Sequence, residues 1–257
     1  YLIVNHMEPD HSQWIKDFKN INDSFKIICT KKAAELLDAF YEHTENIIIP
    51  DSDYTLDLGK GHVLGFAEIP NVHWPETMAT FDTLTGTLFS CDAFGSFGTV
   101  TDSNYDDMLS EEELQFYEKE AVRYYSNIVA SFSMFVKKAI DTCATLPIKI
   151  IAPSHGLVWR ENPSRIVEDY TRYADYQKGV AKEEITIIWG SMYGMTQAAV
   201  DHAVKVLEDE HIKVNVHQVP QTDSGTILAS AWTSTGIVLA MPTYEYKMFP
   251  PLAAVLD

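Results

Sequence analysis

Short runs of β-branched and other apolar residues alternate with amphipathic stretches of helical period along the whole chain. This is the pattern of an α/β protein rather than an all-β sandwich or a helical bundle. Strand-like runs fall at residues 1–4, 25–30, 46–49, 62–69, 86–90, 148–152, 185–189, 213–216 and 236–240. Helical stretches fall at 13–20, 32–43, 111–142, 163–176, 196–210 and 226–231. The 111–142 stretch is too long for one ordinary globular helix, so a break is predicted inside it. The segment 163–184 is polar, charged and rich in Tyr, and a fresh strand, turn and helix follow it. A boundary there predicts domains at 1–176 and 184–257. The chain opens directly into a strand-like run and closes at 252–257 on what reads as the first turns of a helix. The expectation is a segment of a longer polypeptide, with the first domain short of its N-terminal part and the second short of its C-terminal part. No repeat of fixed period is visible, which sets solenoids and propellers aside.

Composition narrows the picture. The chain has 257 residues, 46% apolar and 22% charged, typical of a folded globular protein. Its 19 Lys and Arg against 37 Asp and Glu leave a net charge of −18, which repels nucleic acid and anionic membrane surfaces. No apolar run approaches the roughly 18 residues of a spanning helix. Three cysteines, Cys29, Cys91 and Cys143, lie far apart and in no CxxC spacing, which argues against a disulfide framework or a thiolate metal site. A reducing, cytoplasmic setting is predicted.

The candidate chemistry begins just after the first strand, at Asn5-His6-Met7-Glu8-Pro9-Asp10-His11-Ser12. On an extended loop His6, Glu8 and Asp10 would point to one side while Pro9 stiffens the turn. Three further candidates follow predicted strands or enter turns: His73 in Asn71-Val72-His73-Trp74-Pro75, Asp92 in Ser90-Cys91-Asp92-Ala93-Phe94-Gly95, and His155 in Pro153-Ser154-His155-Gly156. Together they are enough to hold two metals if Asp92 bridges, and mixed nitrogen and oxygen ligation without thiolate suits iron, manganese or zinc. The other histidines, His43, His62, His202, His211 and His217, fall outside the pattern and read as surface or structural residues.

These residues, in this order, resemble the diiron site of flavodiiron proteins (A-type flavoproteins), whose first domain has the metallo-β-lactamase αβ/βα sandwich. The hydrolytic relatives of that fold carry His where this chain has Glu8, and usually hold two zincs. A carboxylate in that place shifts the preference toward iron and redox chemistry. The resemblance implies one iron on His6, Glu8 and His73, the other on Asp10 and His155, and Asp92 between them. His11 is the member whose counterpart is not always bound in the family. Tyr124 or Tyr125 resembles a family tyrosine near the diiron pocket.

After the strand at 185–189 comes Gly190-Ser191-Met192-Tyr193-Gly194-Met195-Thr196 and then a helix, a phosphate-cradling loop at a helix N-terminus. It lacks the P-loop and dinucleotide fingerprints and carries no Lys or Arg, so the hydroxyls of Ser191 and Thr196 and backbone N–H groups would do the binding. This neutral cradle is similar to that of flavodoxin, a doubly wound parallel sheet, where it holds the FMN phosphate. The strand at 236–240 leads into Met241-Pro242-Thr243-Tyr244-Glu245-Tyr246-Lys247. That stretch resembles the flavin-ring loop of flavodiiron proteins, nearest the archaeal enzymes that oxidise reduced deazaflavin coenzyme F-420, with Tyr244 and Tyr246 flanking the ring. A flavodoxin-like domain has about five strands, and three follow residue 184.

What the resemblance implies is an oxidoreductase with two irons and one FMN per subunit, reducing O2 to water, or NO, with electrons from reduced F-420. It also implies a head-to-tail homodimer or a dimer of dimers. The rival classes are a dizinc hydrolase, which metal analysis would identify, and an electron carrier that uses FMN alone.

Overall fold

A computed structural model describes residues 1–18, 20–22, 24–99, 103–179 and 181–257. In chain order the elements are β1 (Leu2–Ile3), α1 (Pro9–Ser12), α2 (Ile15–Phe18), β2 (Ile27–Ile28), α3 (Lys31–Tyr41), β3 (Ile47–Ile48), β4 (Thr55–Gly59), β5 (His62–Glu68), β6 (Met78–Asp82) and β7 (Thr87–Cys91). They continue with α4 (Glu111–Tyr124), α5 (Ser133–Cys143), β8 (Ile150–Pro153), α6 (Pro163–Tyr176), β9 (Lys182–Trp189), α7 (Met195–Asp209), β10 (Lys213–Gln218), α8 (Ser224–Thr233), β11 (Ser234–Ala240) and α9 (Pro250–Leu256). The chain divides into two compact units, one of Tyr1–Ala121 with Ser131–Ala174, the other of Val122–Ala130 with Asp175–Asp257.

The first unit is layered. A parallel sheet β1-β2-β3 places Ile27 and Cys29 on one face, packed with Ala33 and Leu37 of α3. The adjacent Ile28 points to the other face, as the period-2 geometry of a strand requires, and meets Leu56 of β4 and Leu64 of β5. Those two belong to a five-stranded sheet of order β4-β5-β6-β7-β8, antiparallel except for the parallel pair β7–β8. Beyond it Val136, Ala139, Ile140 and Cys143 of α5 line a small apolar cavity with Ala79 and Leu88. Helix, sheet, sheet and helix make the αβ/βα sandwich.

The second unit holds a parallel sheet of order β10-β9-β11, with β9 between its two successors. The chain leaves β9 through α7 to one side and returns through α8 to the other. This places a topological switch point at the carboxyl end of β9, where doubly wound sheets bind ligands.

Two strands were not expected. In β4, Thr-Leu-Asp-Leu-Gly is a mostly exposed edge whose polar residues read as loop. β6, Met-Ala-Thr-Phe-Asp, is buried at all five positions, so it has no polar alternation to betray it. The first helix starts earlier than the predicted 13–20 because Pro9 occupies its first turn, with Glu8 extended before it. That prediction also covers residue 19, outside the described residues. The expected extended loop through Asp10 is therefore corrected: Asp10 and His11 sit on a helical turn. The long 111–142 stretch breaks at Tyr125–Phe132, through a wide π-turn and a 3-10 turn, into α4 and α5. All three cysteines are free and buried. Among the described residues no helix is long and apolar enough to cross a membrane.

One buried carboxylate holds the connection that follows β8. Asp106 is 5% exposed and accepts the backbone N–H groups of Arg160, Glu161 and Asn162 at 2.9 to 3.3 Å. Asp106→Ala strands those donors and is expected to lower the unfolding free energy by about 2–3 kcal/mol in urea titration. A change below roughly 0.5 kcal/mol would contradict this role.

Candidate metal centre and flavin loops

The seven candidate residues of the first unit meet at one end of its sheets. His6 follows β1, Asp92 follows β7, His155 follows β8, and His73 comes from the loop between β5 and β6. Asp92 lies at the centre. Its Oδ2 is 3.3 Å from His6 Nε2 and 3.4 Å from His73 Nε2. Its Oδ1 is 3.1 Å from His11 Nε2 and 3.5 Å from His155 Nε2. Glu8 Oε2 joins the first set, 3.0 Å from His73 Nε2 and 3.4 Å from His6 Nε2. Asp10 Oδ2 joins the second, 3.2 Å from His155 Nε2 and 3.4 Å from His11 Nε2.

These separations have a simple reading. Ligand bonds of about 2.1 Å put neighbouring donor atoms roughly 3.0 Å apart at right angles and roughly 3.4 Å apart at the tetrahedral angle. Each Asp92 oxygen thus faces its own set of donors, spaced as around one cation. Asp92 is 1% exposed, and both its oxygens and His11 Nε2 are buried without a hydrogen-bond partner. Burying such acceptors costs free energy that a metal ion offsets. The residues fit two metals.

Exposure grades across the site: His6 and Asp92 are shut off from solvent, His73 and His11 are mostly buried, and Glu8, His155 and Asp10, with side chains 36%, 38% and 49% exposed, line the mouth. His11 is common to both groups, with a ring nitrogen within reach of His6, Glu8 and Asp92 and also of Asp10 and His155.

The loops are held by contacts that carry no sequence signature. Cys91 takes a left-handed φ of 58° to turn Asp92 inward, a strained conformation for a residue with a Cβ. Its carbonyl accepts Ser154 N–H at 2.8 Å, and His155 C=O accepts Ser96 N–H at 3.3 Å, which ties the Asp92 and His155 loops together. Gly156, at φ 82°, lies so close to Ser96 that a Cβ would overlap the Ser96 hydroxyl. Tyr170 of α6, fully buried, donates to Gly95 C=O at 2.6 Å. Glu76, absent from the sequence reading, is buried beside His6 with its Oε1 2.7 Å from Nδ1. Its only sequence signal is its position three residues after His73. Tyr124 and Tyr125 are buried in their own right, and Tyr125 packs on Trp232. His43 is a satisfied structural residue, its Nε2 2.9 Å from Glu45 C=O, and His62 pairs with Asp82 at 2.9 Å.

In the second unit, Gly190 N–H bonds Ala240 C=O at 3.0 Å, so the turn after β9 and the strand end of β11 sit side by side. Ser191 Oγ accepts Gly194 N–H at 2.9 Å, and Gly194, at φ 84°, precedes α7. Met195 and Thr196 form the first turn of the helix, one residue earlier than predicted; with Gln197 they leave N–H groups that no helical carbonyl reaches. Ser191, Met192, Tyr193 and Gly194 form the turn itself, and Tyr193 is 87% exposed. A neutral N–H cradle at a helix start, at the switch point, fits a flavin phosphate. Beyond Pro242 and Thr243, Tyr244 and Lys247 exchange backbone hydrogen bonds at 2.8 and 2.9 Å around Glu245 and Tyr246, both with positive φ. Tyr246 projects fully into solvent at the tip.

A β-lactamase-type sandwich with imidazoles and carboxylates gathered at its strand ends is a metal-dependent fold class, and comparison with known proteins narrows it. The family model described as "ODP family beta lactamase" matches residues 1–156. The chain belongs to the flavodiiron proteins, the A-type flavoproteins. The anaerobic nitric oxide reductase flavorubredoxin of Vibrio vulnificus is 34% identical over 263 residues, covering 100% of this chain and 52% of the relative. The flavodiiron protein of Giardia intestinalis superposes with a TM-score of 0.92 at 27% identity, covering 100% of this chain and 61% of that one. The rubredoxin oxygen:oxidoreductase of Desulfovibrio gigas shares the fold, with a TM-score of 0.91 at 22% identity over 100% of this chain and 63% of that one. The chain spans about half the length of the curated relatives it matches.

Electrostatics sets how the centre competes for protons. Burial raises the Asp92 carboxyl, but close polar contact with His11 and His73, and the charge of His11 and His6, outweigh it and hold it well below the usual carboxylate range. Burial lowers His11 and His73, and Asp92 and the neighbouring carboxylates more than reverse this, raising both above their ordinary 6.5. Metal binds imidazole only without its proton, so these raised values mean that protons compete at higher pH than at a free histidine. Zn²⁺ affinity is expected to fall steadily as pH drops from about 8 to about 6, with protons released on binding. An affinity flat across that window would contradict the assignment. Gly156→Ala is expected to keep the fold but lower metal content by pushing the His155 loop off Ser96; unchanged metal content would show that the loop has room to yield.

Proposed function

We propose that this chain carries the reaction centre of an oxidoreductase that reduces a diatomic molecule, nitric oxide or dioxygen, at two irons supplied with electrons through FMN. The observation that carries this reading is Asp92, whose two oxygens face two separate donor sets. Glu8, where the hydrolytic relatives have His, supports iron over zinc. Nitric oxide is favoured because curated relatives at 33–34% identity are named nitric oxide reductases; dioxygen is the alternative.

In this reading His6, Glu8 and His73 would hold one iron and Asp10, His11 and His155 the other, with Asp92 available to both. The irons, when bound, supply the electrons and the open positions at which the substrate is reduced. The chain's residues supply the rest. Glu8, Asp10 and Asp92 offset the charge of two cations. His6 and Trp74, rings edge to face at 5.1 Å, close the deep side, while Asp10 and His155 leave the outer side open to substrate. Residues 1–176 form the diiron domain and 184–257 the FMN domain. There Ser191, Met192, Tyr193, Gly194, Met195 and Thr196 cradle the phosphate, and the 242–246 turn borders the ring. The donor is a reduced deazaflavin of the F-420 type, with Lys247 as the local cation for its anionic tail. Assembly is a head-to-tail homodimer, in the cytoplasm.

The test uses the full-length protein purified anaerobically. Two irons and one FMN per chain are expected, with faster consumption of NO than of O2 when reduced F-420 is supplied. Faster O2 consumption would select the alternative substrate, and activity with NADH or rubredoxin but not F-420 would replace the donor. Two zincs without flavin would overturn the proposal in favour of a hydrolase.

A further inference from the structure

Glu76 is absent from the set of metal-site candidates, yet it is among the most enclosed charged groups in the first unit, 1% exposed. Its Oε1 lies 2.7 Å from His6 Nδ1 and also accepts the backbone N–H of Met7 at 3.1 Å. Its own carbonyl is held by Thr30 Oγ1 at 2.9 Å, so the residue is fixed at both ends. A carboxylate can only accept from Nδ1, so Nδ1 carries the proton and the lone pair of His6 is on Nε2. Nε2 is the atom that faces Glu8 and Asp92. The loop that carries Glu76 also presents His73 and the ring edge of Trp74, both 5.1 Å from the His6 ring. One short loop therefore supplies a donor, walls in a second and sets the tautomer of the second.

We infer that Glu76 is a positioning residue: it locks His6 in the tautomer and orientation that binds the inner metal, and strengthens that imidazole as a donor. The inference rests on the two-metal reading above and adds that the inner and outer sites are tuned separately. The outer donors pair with Asp92 and with one another: Asp10 with His11 and His155, and both of those imidazoles with Asp92 Oδ1. Losing an outer-shell carboxylate of this kind typically weakens metal binding 10- to 100-fold.

The experiment is anaerobic calorimetric titration of the metal-free, full-length chain with Co²⁺ alone, in wild type, Glu76→Gln and Glu76→Ala. Gln keeps an oxygen for Met7 N–H and His6 but removes the charge; Ala removes both. Wild type is expected to bind in two steps. Glu76→Ala should weaken one step roughly 100-fold and Glu76→Gln the same step roughly tenfold, with the other step changed less than about threefold. In the iron-loaded protein the variants should shift the reduction potential of the centre to more positive values, because a weaker donor stabilises the oxidised metal less. Equal weakening of both steps, unchanged binding in a variant with wild-type thermal midpoint, or failure of both variants to fold would each overturn the positioning role. A wild-type chain without two steps would instead overturn the two-metal reading and this inference with it.

Discussion

A buried carboxylate with no hydrogen bonds on either oxygen is the constraint around which the first unit is arranged. Asp92 sits at the meeting of the two sheets, where its charge can be tolerated only if cations face it on both sides. The four imidazoles that face it come from three places in the chain, His6 and His11 from the stretch after β1 and His73 and His155 from two others. Each is delivered by a strand end or an adjoining turn, so the alignment of the two sheets sets the geometry of the site. The core contacts of Ile28 with Leu56 and Leu64 matter to chemistry for that reason, since they fix one sheet against the other.

The same logic explains where the backbone is least comfortable. Cys91, Phe94 and Asn71 all take left-handed conformations beside residues of the site. The Asp92 and His155 loops are bound to each other by main-chain hydrogen bonds and anchored by Tyr170. Strained turns persist here because their surroundings hold them on several sides. Asp10 and His155, with side chains partly exposed, lie at the mouth of the site.

Much of this was legible in the sequence, and the reasons differ by residue. His6, Glu8, Asp10, His11, His73, Asp92 and His155 stood out as metal-ligand candidates because imidazoles and carboxylates gather beside apolar runs and turns, and the fold brings all seven together. Helix α6 and the start of strand β5 were legible from their periodicity and lie where predicted. β6 was not, because a strand buried on both faces shows no alternation. The helical turn of Asp10 and His11 was hidden because Pro9 reads equally as a loop residue and as a helix start. Glu76 could not be read at all: its meaning comes from a hydrogen bond to a residue 70 positions away, which only the fold creates. The turns offered as flavin-binding candidates stood out by their glycines and hydroxyls, and in the structure the paired turn of Tyr244 and Lys247 leaves Tyr246 projecting into solvent.

The central claim is that Asp92 lies between two metals. Crystals of the full-length, iron-loaded protein, measured on either side of the iron absorption edge, would test it directly. Two anomalous peaks are predicted, one beside Oδ2 among His6, Glu8 and His73, the other beside Oδ1 among Asp10, His11 and His155. A single peak, or two peaks that both avoid Asp92, would contradict it.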